Sequence, residues 1–357
     1  MFVLLFWSPD PDSTQHSQTD SLDTITPGIN GPTSRAAISH ASGDLARLRA
    51  ALAAQGLDET TDIVVIADHG FSTISKQSET SYAARQKWRD LPESQLPPGF
   101  LAIDLAHTLA MPLFQPNGLA FEPGVAPRGG SAMLGPDAGR PHVIIAANGA
   151  SDLIYLPESD APALARRIVV FLTTQDYVGG IYAADSLGDM PGALRLSRIG
   201  LTGAALTPKP AIVVSFRSFD SGCGTPDLCG VEVADTTLRQ GQGMHGGLNR
   251  ADTRNFMAAI GPDFKRGFVN PAPISNADIA PTLAHILGFD MPSKGALRGR
   301  VITEALPRGP ATAFAADTVR STPAANGFQT ILNLQRVGTV EYYDAAGAPG
   351  RAVGLTP

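Results

Sequence analysis

Residues 62–70 read DIVVIADHG, a short β-branched apolar run that ends in Asp68, His69 and Gly70. Alternating or continuous Val/Ile over four or five positions predicts a buried strand, and Gly70 lets the chain turn directly after it. Adjacent side chains on a strand point to opposite faces, so Asp68 and His69 can converge on one point only where the chain turns. Upstream, RAAISHASGDLARLRAALAAQGL (35–57) repeats Leu45, Leu48 and Leu52 at helical spacing, with Gly56 as the stop. Further upstream, FVLLFWS (2–8) is apolar and reads as a second buried strand. A strand–helix–strand order predicts an α/β domain: a three-layer α/β/α sandwich around a largely parallel sheet.

Moving in the other direction, residues 72–141 are rich in Pro and Gly (QLPPGF, MPLFQPNGLAFEPGVAPRGG). A span of that length predicts an irregular cap or insert, of the kind that carries a lid or substrate loop. HVIIAANG (142–149) and DLIYLP (152–157) predict two strands with a turn, and ALARRIVVFLTTQ (163–175) a helix. AIVVSFRSF (211–219) and NFMAAIGPDF (255–264) predict further strands. Residues 276–288 (NADIAPTLAHILG) predict a helix stopped by Gly288, and FQTILNLQRVGTVEYYDAAG (328–347) a C-terminal hairpin. The organisation expected is a catalytic core over 1–75, the cap with further core strands over 76–240, a return to the core over 241–306, and a tail over 307–357.

Composition narrows the partners. The chain has 357 residues, 43% hydrophobic and 17% charged, as an ordinary globular protein does. Its 33 acidic residues outnumber 27 basic ones and no Lys/Arg block stands out, which disfavours a nucleic-acid surface. No segment is long enough to span a membrane as a helix. Cys223 and Cys229 fit either a local disulfide or two free loop thiols; a zinc knuckle would need a second Cys/His pair at the right spacing.

Three clusters carry chemistry, each beside a strand: Asp12 and His16 in DSTQH, Asp68 and His69 in DHG, and His245 in GMHGG. Asp12 and His16 are four apart, so a helical turn would place both on one face and let both reach one cation. The glycines around His245 allow backbone to approach a metal or substrate closely. Mixed carboxylate and imidazole ligands suit Zn²⁺ best, with manganese or iron as alternatives. Singly, each cluster reads as a polar turn; together, at strand ends, they point to a metal centre. Arg217, in SFRSFD, is a candidate phosphate contact through its bidentate guanidinium, or else a structural ion pair. His40, His107, His142 and His285 read as packing or surface residues, and Arg250 and Asn255 are open between a site role and a structural one.

PDPDSTQH, VVIADHG and GMHGG, in that order, resemble the metal motifs of the type I phosphodiesterase/nucleotide pyrophosphatase branch of the alkaline phosphatase superfamily. NADIAPTLAHILGFDMPSKGALRGRVITEAL (276–306) is similar to the closing stretch of many superfamily members. The resemblance implies a hydrolase of small phosphate esters or nucleotide-like substrates with two divalent ions, Zn²⁺ above all. It implies that Asp12, His16 and His245 hold one ion, and that Asp68 and His69 hold the other. It also implies a Ser/Thr nucleophile and a further Asp ahead of the first strand, hence residues upstream of Met1; Ser13 and Thr14 are not expected to serve. A periplasmic or secreted parent protein follows from the same resemblance. Two alternatives stay open: a non-catalytic metal-binding remnant, and a phosphomonoesterase or phosphonate hydrolase of the same superfamily.

Overall fold

The computed structural model describes residues 2–157, 161–203, 207–225, 227–292 and 298–355. It is a mixed α/β structure with several sheets, and most strand pairs are antiparallel. The largest sheet has seven strands in the order Leu113–Phe114, Ala132–Leu134, Val143–Ala147, Ser151–Tyr155, Ile212–Phe216, Val178–Ala183, Leu194–Arg195. Every neighbouring pair is antiparallel except the last, where Val178–Ala183 and Leu194–Arg195 run parallel. The largely parallel three-layer sandwich expected from the sequence is therefore not what is seen. Hairpins such as Val143–Ala147 with Ser151–Tyr155 reverse the chain within a few residues, which forces antiparallel pairing; a parallel pair needs a long crossover.

The main core is built on this sheet. The helix Ala161–Leu172 buries Leu164, Ala165, Ile168, Val169 and Leu172, a stripe at the spacing of an amphipathic helix. Within the 72–141 span, expected to be irregular, lies the helix Phe100–Leu109, whose Phe100, Leu101 and Leu105 are fully buried. Phe100 packs edge-on to Tyr177 at 5.0 Å between ring centroids, and against Phe216 at the same distance. So this span contains an ordered, buried helix as well as irregular chain. Its apolar run is ten residues long and flanked by Pro and Gly, and the flanks hid it.

Smaller sheets position the chemistry. The strand Ser72–Ser75 is central to a four-stranded sheet, pairing parallel with Gly230–Val233 and antiparallel with Gly243–Met244. The register Gly243↔Thr73 and Met244↔Ser72 brings the DHG and GMHGG segments side by side. Among the described residues the strand Ile63–Ile66 pairs only with Met257–Ile260, antiparallel, in a two-stranded sheet. The expected C-terminal hairpin forms from Ile331–Val337 and Val340–Gly347, and Ala315–Arg320 adds a third antiparallel strand.

The opening run corrects a second expectation. Phe2 to Trp7 form no strand and are exposed, with Leu5 90% and Trp7 72% accessible. A strand is a relation between neighbours, since its backbone N–H and C=O groups need a ladder. Apolar sequence alone does not supply one, and no described strand pairs with this run. Immediately after it, the helix Asp10–Ser17 packs against the long helix Pro32–Ala54 and against Gly243–Met244.

Candidate metal centre

Asp12 and His16 lie one turn apart on the helix Asp10–Ser17, and Asp12 Oδ1 is 3.5 Å from His16 Nε2. The same oxygen is 3.6 Å from His245 Nε2 and 3.9 Å from His69 Nε2. One carboxylate oxygen thus faces three imidazole nitrogens drawn from three distant parts of the chain. Asp12 Oδ1 is buried and has no hydrogen-bond partner, an unusual state for a carboxylate oxygen and one that a cation would resolve.

The imidazoles are oriented by the backbone. His69 Nδ1 is 2.8 Å from the Gly70 carbonyl oxygen, and His16 Nδ1 is 2.8 Å from that of Gly243. A carbonyl only accepts, so each Nδ1 carries the proton and each Nε2 keeps its lone pair toward Asp12. The rings of His69 and His245 stack at 3.7 Å with an interplanar angle of 19°. Phe71 packs against both of them and meets His16 edge-on at 4.8 Å. Burial, followed by the nearby His69 and His16 rings, lowers the His245 pKa to about 4, despite Asp12 and Asp68. His245 is therefore neutral at physiological pH, the form in which an imidazole can bind a metal.

The arrangement fits a divalent ion. Ligand atoms on a tetrahedral centre with bonds of about 2.0–2.1 Å stand about 3.4 Å apart, close to the separations around Asp12 Oδ1. Asp12, His69 and His245 form a group whose donor atoms all lie within 4.8 Å of one another. His16 joins through Asp12 but is not a member of that group. Asp68 is placed at the edge: its side chain is 76% exposed, and Oδ1 is 3.7 Å from His69 Nε2. The division implied by resemblance put His69 with Asp68 and apart from Asp12; in the structure His69 faces both.

Arg217 lies elsewhere in its contacts. Its guanidinium covers the Phe219 ring at 5.5 Å, and its positive charge lowers the pKa of Arg351, after burial. Arg250 makes a bidentate ion pair with Asp344 at 2.9 and 2.7 Å. Asn255, open between a site role and a structural one in the sequence, and Asn276, which no sequence motif marked as a site residue, both hold the Asp68 turn. Asn255 Nδ2 donates to the Ala67 carbonyl at 2.8 Å, and Asn276 Nδ2 donates to those of Ala67 and Asp68 at 3.1 and 2.9 Å. The capping box at Ser275 and Asp278 fixes Asn276 at a helix start. A cavity of about 500 Å³ opens beside His245, lined by Ser131, Asn148, Asp235, Thr237 and Met244 among others.

With this geometry in place, comparison with known families is informative: residues 1–111 match the model described as Type I phosphodiesterase / nucleotide pyrophosphatase. Over that stretch, under a third of its length, the chain is similar to this family. The match takes in Asp12, His16, Asp68 and His69; His245 lies beyond it and joins them through the fold. No curated protein matches the chain. The PDPDSTQH and VVIADHG motifs lie inside the matched stretch, and GMHGG lies outside it.

The two loop cysteines, Cys223 and Cys229, form a disulfide. Among the described residues no helix is long and apolar enough to cross a membrane.

Proposed function

We propose that the chain is a metal-dependent phosphoester hydrolase of the phosphodiesterase/pyrophosphatase type, with Asp12, His69 and His245 as the principal ligands of a Zn²⁺ ion and His16 beside them. The observation that carries this is the unpartnered Asp12 Oδ1 facing three imidazole Nε2 atoms. Similarity of residues 1–111 to a phosphodiesterase family supports the reaction class. A divalent ion bound there supplies Lewis acidity toward a phosphoryl oxygen and a lowered pKa for bound water. The protein's own part is to hold the Nε2 lone pairs inward through the Gly70 and Gly243 carbonyls and to exclude water with Phe71.

A second ion, if the family's two-metal pattern extends to this chain, falls to Asp68 with His69. The substrate is a small phosphate ester whose leaving group would occupy the cavity beside His245. Arg217 stays a candidate substrate contact. The disulfide supports a periplasmic or secreted setting.

A second reading, a metal-binding module without turnover, draws support from the exposure of Asp68, which leaves the second ion thinly held. Zinc-loaded protein assayed on bis(p-nitrophenyl) phosphate separates the two. Turnover that disappears in His245→Ala supports the hydrolase; zinc uptake with no turnover in the wild type supports the binding module.

A further inference from the structure

His69 and His245 sit on separate loops, and their ring stacking at 3.7 Å requires those loops to be held at a fixed spacing. Strand pairing accounts for part of this, through Met244↔Ser72 and Gly243↔Thr73. Beyond the strands, the loops meet a third element, the short helix Arg250–Thr253, and within it one residue touches both.

That residue is Asp252, 5% exposed. Its backbone carbonyl accepts from Gly70 N at 2.8 Å, next to His69. Its Oδ2 accepts from Gly247 N at 2.7 Å, two residues after His245, and its Oδ1 accepts from Ser72 Oγ at 2.6 Å. The fully buried Glu232 lies alongside, bound to Asn249 Nδ2 through Oε2 at 3.0 Å. Close approach explains the glycines. A Cβ on Gly70 would lie 1.9 Å from the Ala251 carbonyl oxygen, and one on Gly247 would lie 2.9 Å from Glu232 Oε2 and 3.0 Å from Asp252 Oδ2. Both loops are pressed onto the 249–252 turn, and Asp252 bonds to each.

We propose that Asp252 is a positioning residue for the metal centre, setting the distance between His69 and His245 without touching either ring. This rests on the reading of those histidines as metal ligands. Outer partners that orient ligands typically contribute 10–100-fold to metal affinity, and a clamp shared by two ligand loops acts in the same way.

The test is zinc and cobalt(II) binding to the full chain in four forms: wild type, Asp252→Ala, Ser72→Ala and Asp104→Ala. Asp104 is an equally buried carboxylate that accepts from Ala83 N and Ser81 Oγ but bonds to neither loop, so it controls for general destabilisation. Asp252→Ala is expected to weaken zinc binding at least tenfold and to shift the cobalt absorption bands. Ser72→Ala, which removes one bond only, is expected to weaken zinc binding by a smaller factor and covers the case in which Asp252→Ala does not fold. Asp104→Ala is expected to stay within twofold of wild type. Equal losses in Asp252→Ala and Asp104→Ala, or wild-type affinity in Asp252→Ala, would overturn the assignment while leaving the metal centre intact. A wild type that takes up neither metal would overturn the metal reading itself, and this assignment with it.

Discussion

Asp12 Oδ1 lies 3.6 Å from His245 Nε2, which joins the first helix of the chain to the glycine loop that follows Gly243–Met244. The same oxygen reaches His69, so a single carboxylate is the meeting point of all three sequence clusters. An account of the chain as a metal enzyme depends on this convergence more than on any one motif.

The ligands should not be equivalent. Asp12→Ala, His69→Ala and His245→Ala each remove a member of the close group, and each should weaken zinc binding by more than tenfold. His16→Ala should cost less, because His16 stands outside that group. Titration of the four variants against a zinc indicator checks the order; a His16 variant as impaired as the other three would contradict the geometry.

Gly70 should be intolerant of any side chain. The Ala251 carbonyl oxygen occupies the space where a Cβ would go, so Gly70→Ala must push apart the 68–71 and 249–252 segments. We expect a loss of about 1–3 kcal/mol in unfolding free energy, together with weakened zinc binding. Urea unfolding and zinc titration of one sample measure both; an unchanged midpoint and affinity would show that the packing is looser than described.

How much of this was legible in the sequence differs by link. The Asp12–His16 pair was readable because four residues make one helical turn, and the DHG turn was readable because Gly70 permits it. Strand positions such as Ile212–Phe216 and Val143–Ala147 followed from apolar runs. Strand direction did not, since a run of Val and Ile reads the same in a parallel or an antiparallel ladder. The exposed state of Phe2 to Trp7 was illegible for a related reason: the sequence shows apolar character but not whether a neighbouring strand is there to cover it. Contacts of His69 with Asp12, and of Asp252 with Ser72, join residues far apart in the chain, and no local pattern announces them.

That exposed run has a measurable consequence. Phe2 to Trp7, together with Ile66, Phe256 and Ile260, places large apolar side chains in water. Exposed apolar surface and unpaired strand edges promote association. The chain should bind a hydrophobic dye such as ANS in its folded state, and the double substitution Leu5→Lys with Trp7→Lys should reduce that binding. Dye fluorescence unaffected by the substitutions would mean that this run is covered in solution.

Buried carboxyls give the stability a definite pH dependence. Burial raises the Asp104 pKa from 3.8 to about 6, against hydrogen bonds from Ala83 N and Ser81 Oγ. The folded state therefore holds this proton more tightly than the unfolded state. The contribution is fully present below about pH 4 and is lost as pH rises through about 6, a change of about 3 kcal/mol. Chemical unfolding from pH 3 to 7 should show the wild type losing that much more stability than Asp104→Asn, which carries no proton to lose. Parallel curves for the two proteins would refute the assignment.

Whether Asp12, His69 and His245 hold a divalent ion is decided by calorimetric titration of metal-stripped protein with zinc, wild type beside Asp12→Ala. The wild type should bind zinc saturably, and Asp12→Ala should bind it more than tenfold more weakly. No zinc uptake by a folded wild type, or equal uptake by both proteins, would contradict the metal assignment.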